Sequence, residues 1–92
     1  MNKSELIKSF SAIQDISVEE ATATINSFFD AIKTALVDDD RVEIRGFGSF
    51  VVREYKGYTG RNPKNGDTVT VAPKRLPFFR AGKELKDYIN KK

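Results

Sequence analysis

Arg41-Val42-Glu43-Ile44-Arg45-Gly46-Phe47-Gly48-Ser49-Phe50 is the stretch on which the fold turns. Its first half alternates: Val42 and Ile44 point one way and Arg41, Glu43 and Arg45 the other, which predicts a half-buried strand. Gly46-Phe47-Gly48 reads as a tight turn carrying one aromatic. A second strand is expected from Ser49 to about Tyr58, with Phe50 and Val52 facing inward, and a third, rich in Val and Thr, from Asp67 to Leu76. Between them lies Thr59–Gly66, whose Asn65-Gly66 pair signals a hairpin turn.

Upstream the hydrophobic period is that of a helix. Asn2 with Glu5, and again Ser17 with Glu20, have capping-box spacing. Leu6, Ile7, Phe10 and Ile13 fall on one face of a first helix; Ala21, Ile25, Phe28, Phe29, Ile32 and Leu36 form the broad stripe of a second. The second helix should end near Asp38–Asp40, since three acids oppose the dipole at a helix C-terminus. Ala81 to Asn90 predicts a short last helix with Leu85, Tyr88 and Ile89 as its apolar side.

Ninety-two residues form one small domain, and 39% apolar with 32% charged residues is a globular composition. The expected class is α+β, with a helical base over 1–40, a three-stranded antiparallel sheet with a β-arm (about 53–75) over 41–80, and a C-terminal helix over 81–92. Cys and His are absent, which excludes their nucleophile–base pairs, zinc fingers and disulfide frameworks. The carboxylates have ordinary structural places, and no phosphate-binding or dinucleotide motif occurs, so no enzyme, cofactor, metal or small-molecule substrate is expected. No run is long enough for a membrane helix, and MNKSELIKSF lacks the apolar region of a signal peptide, so a cytoplasmic protein is the default.

The net charge of +3 hides a division: residues 1–40 carry three bases against eight acids, net −5, and residues 41–92 carry 13 bases against five acids, net +8. Such segregation suits either a polyanion-binding surface on an acidic scaffold or a solvated basic face. The hairpin from Arg53 to Arg75 is polar or basic on both faces apart from Tyr55, Tyr58, Val69 and Val71. An isolated two-stranded ribbon is marginal in water, so it either packs on something or projects as an arm. Seven Phe (10, 28, 29, 47, 50, 78, 79) shared by so few other residues favour a homodimer with a common core; the alternative is a compact monomer.

Arg53, Lys56, Arg61, Lys64, Lys74 and Arg75 cluster on the hairpin, and Arg80, Lys83 and Lys86 follow at helical spacing. A basic ribbon can enter a DNA groove. Pro63, between Arg61 and Lys64, is either a wedge for a base step or simply a turn-setting proline. Pairing of the hairpin with another protein's sheet edge, or single-strand binding through Tyr55 and Tyr58, are the competing functional readings.

Glu43-Ile44-Arg45-Gly46-Phe47-Gly48-Ser49-Phe50, Gly60-Arg61-Asn62-Pro63-Lys64-Asn65-Gly66, Pro77-Phe78-Phe79 and Gly82-Lys83-Glu84-Leu85-Lys86-Asp87 resemble the HU/integration host factor family of bacterial DNA-bending proteins, as does the opening Asn2–Ile7. The resemblance covers essentially the whole chain. It implies an intertwined dimer, whether a homodimer or a heterodimer with a paralogous subunit, whose two β-arms embrace double-stranded DNA through the minor groove, bend it and compact the nucleoid. On that pattern Pro63 matches the intercalating proline, and Arg61 and Asn62 its groove-inserted neighbours. Phe47, Phe50 and Phe79 match the aromatic dimer core, to which Phe28 and Phe29 are added. Gly46 and Gly48 match turn positions whose amides approach phosphate, and Lys3, Arg80, Lys83 and Lys86 match phosphate contacts on the body. Val42–Arg45 and the segment from Arg75 to Asp87 look closest to the integration host factor beta subunit, where Glu43 and Arg45 match a pair in which Glu orients Arg. Tyr58 stands where many members carry arginine.

Overall fold

Extended backbone at Asn2 (φ −99°, ψ 179°) lets its Oδ1 accept the Glu5 amide at 2.9 Å, and α1 runs Lys3–Gln14 in this computed structural model, which describes residues 1–91. Position 92, at the end of the expected C-terminal segment, lies outside the described residues. Asp15 stops α1 in the left-handed region (φ 53°), where short acidic side chains are tolerated. There the Ile16 amide donates to the Ser11 carbonyl at 3.1 Å and the Ser11 hydroxyl donates to the Ile16 carbonyl at 2.6 Å. Ser17 Oγ then accepts the Glu20 amide at 3.1 Å and starts α2, Val18–Val37.

The described residues divide into two compact units, Met1–Thr34 and the remainder from Ala35. In the first, Ile7, Ala21 and Ile32 are buried. Leu6, Phe10 and Ile25 are half-buried, whereas Ile13 is 74% exposed and does not join the face that its spacing from Phe10 suggests. Phe28 and Phe29, rings edge-to-face at 5.5 Å, are exposed.

The second unit opens on the end of α2. Asp39 adopts φ 59°, the Asp40 amide donates to the Ala35 carbonyl at 2.9 Å and the Asp39 amide to Leu36 at 3.1 Å, a paired closure of the last helical turn. Five strands follow: β1 Val42–Ile44, β2 Gly48–Tyr55, β3 Tyr58–Arg61, β4 Thr68–Val71 and β5 Lys74–Ala81, then α3 Lys83–Ile89. β1, β2 and β5 form one antiparallel sheet in that order; β3 and β4 form a separate two-stranded one.

Several boundaries differ from the sequence reading. The tight turn is Ile44–Phe47, closed by the Phe47 amide on the Ile44 carbonyl at 2.9 Å, with Gly46 (φ 84°) in the position a type II turn reserves for glycine. Gly48 is already in β2, and buried. The two expected long strands are each broken at one level, at Lys56-Gly57 and at Ala72-Pro73. Pro73 has no amide hydrogen for the ladder. Opposite it, a Cβ on Gly57 would stand 2.6 Å from the Val71 carbonyl oxygen and 2.8 Å from Pro73 Cδ. Beyond the break the last strand does not end at Leu76 but runs on to Ala81, with Pro77 accommodated because β5 is an edge strand. α3 starts at Lys83, not Ala81, since Ala81 still pairs with Gly48 and Gly82 is extended.

Register assigns the faces of the sheet. Phe50 pairs with Phe79 and Val52 with Pro77 on one face; Val51 pairs with Phe78, Arg53 with Leu76 and Tyr55 with Lys74 on the other. On the first face the Phe79 ring lies 4.9 Å from Phe50 and 5.4 Å from Phe47, yet Phe47 remains 43% and Phe79 37% exposed.

Candidate nucleic-acid interface

β3 and β4 pair Tyr58 with Val71, Thr59 with Thr70, Gly60 with Val69 and Arg61 with Thr68. Alternation along these strands places Tyr58, Val69 and Val71 on one face and Thr59, Arg61, Thr68 and Thr70 on the other. The arm therefore has an apolar and a polar face, where composition alone suggested two polar ones.

Its tip is wider than the two-residue turn that Asn65-Gly66 signals. The Asn62 amide donates to the Asp67 carbonyl and the Gly66 amide to the Asn62 carbonyl, both at 2.7 Å, enclosing the four residues 63–66 with Gly66 at φ 78°. Two asparagines lock the loop: Asn62 Oδ1 accepts the Lys64 amide at 2.9 Å and Asn65 Oδ1 the Asp67 amide at 3.0 Å. Pro63 comes first in this loop and is exposed, as are Arg61 and Lys64; Asn62 is half-buried. A rigid, donor-free ring is thus presented at the extremity with a cation on each side.

The remaining candidate residues occupy several settings. Lys56 sits at the break below the arm, and Lys74 opens β5 beside it. Tyr58, at 65% exposure, stands on the apolar arm face. Arg80 is on β5, opposite Ser49, and not on the last helix as its spacing suggested; only Lys83 and Lys86 share α3. Lys3 belongs to the first unit, at the start of α1. Arg45 and Gly46 are the central residues of the exposed β1–β2 turn, whereas Gly48 is buried behind it: a Cβ there would meet the Arg80 carbonyl oxygen at 2.5 Å.

Ion pairing sorts the arginines further. Arg75 turns to the end of α2, donating to the carbonyls of Leu36 (3.2 Å) and Val37 (3.4 Å) and pairing with the Asp39 carboxylate. It neutralises the helix terminus whose last turn holds no base. Glu43 pairs with Arg41 at 2.7 Å, and among the described residues it makes no ion pair with Arg45. Arg53 makes no ion pair among the described residues; its guanidinium carbon lies 3.5 Å above the centre of the Phe78 ring. Sequence reasoning missed the Phe78 stack and the Asp39–Arg75 bond because both cross strands or elements whose register no local pattern reveals.

The family profile described as "Bacterial DNA-binding protein" matches residues 1–90. The chain is 42% identical to DNA-binding protein HU-beta of Escherichia coli (strain K12) over 90 residues, covering 98% of this chain and 100% of that one. It is 41% identical to the integration host factor subunit beta of Cupriavidus metallidurans over 92 residues, covering 99% of this chain and 68% of that one. An Anabaena HU–DNA cocrystal structure superposes with a TM-score of 0.88 at 33% identity, covering 100% of both chains.

Proposed function

The chain belongs to the bacterial DNA-binding protein family that includes HU and integration host factor, non-enzymatic architectural proteins that bend DNA, and we propose that it bends duplex DNA with the β3–β4 arm of each protomer of a dimer. The observation that carries this is the arm tip: Pro63 exposed at the head of an Asx-locked loop, between Arg61 and Lys64. Inserted from the minor groove, its ring would unstack one base step per arm, with Arg61 and Asn62 against the groove and Lys56, Lys64 and Lys74 near phosphates. Arg45, the Gly46 amide, Arg80, Lys83, Lys86 and Lys3 would collect the phosphates that bending brings to the body. The bend costs several kcal/mol, offset by those contacts, and the cations make affinity fall steeply with salt. Gly48, buried in β2, and Arg75, paired with Asp39, we assign to the fold rather than to the contact.

Dimer formation follows from the family, and Phe28, Phe29, Phe47, Phe50 and Phe79 are our candidates for the shared core. A homodimer is the simpler form, since one chain supplies both halves of a symmetric interface. Identities of 42% to an HU chain and 41% to an integration host factor chain do not choose a branch, so the expected likeness to the beta subunit carries no sequence preference. Association with the bacterial nucleoid in the cytoplasm is the corresponding location.

The test is energy transfer between dyes on the two ends of a duplex of a few dozen base pairs, titrated while anisotropy reports binding. Anisotropy and transfer should rise together. Binding without approach of the ends would remove bending, and no binding at low salt would favour pairing with a protein sheet edge. Preference for single strands over duplex would favour stacking on Tyr55 and Tyr58.

A further inference from the structure

The two faces of the β1-β2-β5 sheet divide the labour of its side chains. The face bearing Phe50 and Phe79 gathers the aromatic cluster, while the opposite face carries three cations, Arg53, Lys74 and Arg80, set among Val51, Leu76, Tyr55 and Phe78. Of these cations Arg53 alone has an aromatic partner among the described residues. It pairs directly with Leu76, so Phe78 is its diagonal neighbour across the strands, and its guanidinium carbon lies over the ring, 3.5 Å from the centroid. Arg41 and Arg75 already have carboxylate partners; Arg53 has none among the described residues.

A guanidinium stacked by one flat side keeps its N–H donors in the ring-parallel plane, directed sideways toward an approaching anion. The stack leaves the positive charge unneutralised while removing most of the rotamers that a free arginine would have to give up on binding. We propose that Phe78 is a positioning residue for DNA binding: its ring holds Arg53 pre-oriented for a phosphate or a groove-edge acceptor on this face of the sheet. The inference rests on the DNA-binding function above and adds to it a residue that itself makes no polar contact. Val51, the cross-strand partner of Phe78, shares its face of the sheet.

Phe78→Leu keeps apolar bulk against Val51 and removes only the π face; Phe78→Tyr keeps the face. Both are measured, alone and combined with Arg53→Ala, by anisotropy on one fluorescein-labelled duplex over a salt series, with thermal melting of each free protein. Phe78→Leu should raise Kd about fivefold with an unchanged salt slope, because the protein keeps every charge, while Phe78→Tyr stays within twofold of the parent. Arg53→Ala should raise Kd at least tenfold and lower the slope by about one for each phosphate no longer neutralised. In the Arg53→Ala background Phe78→Leu should then change Kd less than twofold, which a general weakening of the sheet would not produce. Additive losses, or an Arg53→Ala protein that binds as tightly as the parent, would overturn the positioning role and leave DNA binding standing. Absence of binding by the parent protein would bring down both.

Discussion

Pro63 and Gly48 show how much a single backbone property decides. At Pro63 the locked ring and missing amide hydrogen cost the loop nothing, because the closing bonds are made by Asn62, Gly66 and Asp67 around it. Pro63→Ala should therefore leave fold and phosphate contacts in place and remove the wedge. We expect end-to-end energy transfer in the complex to drop by more than half while Kd rises less than about tenfold. Undiminished transfer would remove the intercalation claim. Gly48 is the opposite case, a residue whose value is its lack of a side chain. A Cβ there would lie 2.5 Å from the Arg80 carbonyl and 2.6 Å from Phe79 Cζ, in the middle strand where the backbone has little room to retreat. Gly48→Ala should cost about 2–3 kcal/mol in urea unfolding, and a smaller loss than 1 kcal/mol would mean that the sheet yields more than its pairing suggests.

At the scale of elements, the arm tip is closed by its own residues, Asn62 to Asp67, whereas the end of α2 is completed by a residue from elsewhere in the chain. Arg75, the second residue of β5, supplies the positive end that α2 lacks. Arg75→Ala should lower stability by about 1 kcal/mol, a figure held down by the exposure of the pair, and leave the salt slope of DNA binding nearly unchanged because Asp39 already engages that charge. Arg61→Ala should do the reverse, lowering the slope by roughly one per arm with no change in melting temperature. A slope that falls for Arg75 and not for Arg61 would exchange their roles. Such differences mark what could be read beforehand. The caps at Asn2 and Ser17 were legible because three residues settle them, and the period change at Arg41 exposed the first strand. The break at Gly57 and Pro73 was hidden, since the Pro73 effect depends on which residue lies opposite. Likewise the apolar arm face needed the register of Tyr58 with Val71, which no run of letters states. The Pro63 tip was conspicuous in sequence, but its four-residue loop depends on bonds spanning Asn62 to Asp67.

At the scale of the whole molecule, the lone chain leaves its apolar inventory unfinished. Among the described residues only Ile7, Ala21 and Ile32 are buried apolar side chains, while Phe28, Phe29, Phe47 and Phe79 stay exposed. Burying a phenylalanine is worth roughly 1.5–3 kcal/mol, so several such rings left wet would forfeit much of the 5–15 kcal/mol typical of a folded domain. A second protomer covering them would make folding and association one equilibrium, and stability would then depend on concentration. Each tenfold rise in protein adds about 1.4 kcal/mol to a two-state dimer, which for a unit of this size corresponds to roughly 3–6 °C in melting temperature. Melting followed by circular dichroism over two decades of concentration should show that slope. Phe79→Ala, which removes the ring shared by the Phe47 and Phe50 contacts, should shift the whole line downward without flattening it. A concentration-independent melt would mean that the chain folds alone and that the exposed rings serve another purpose. It would also leave each arm to bend DNA singly, without a paired arm to hold the other end of the bend.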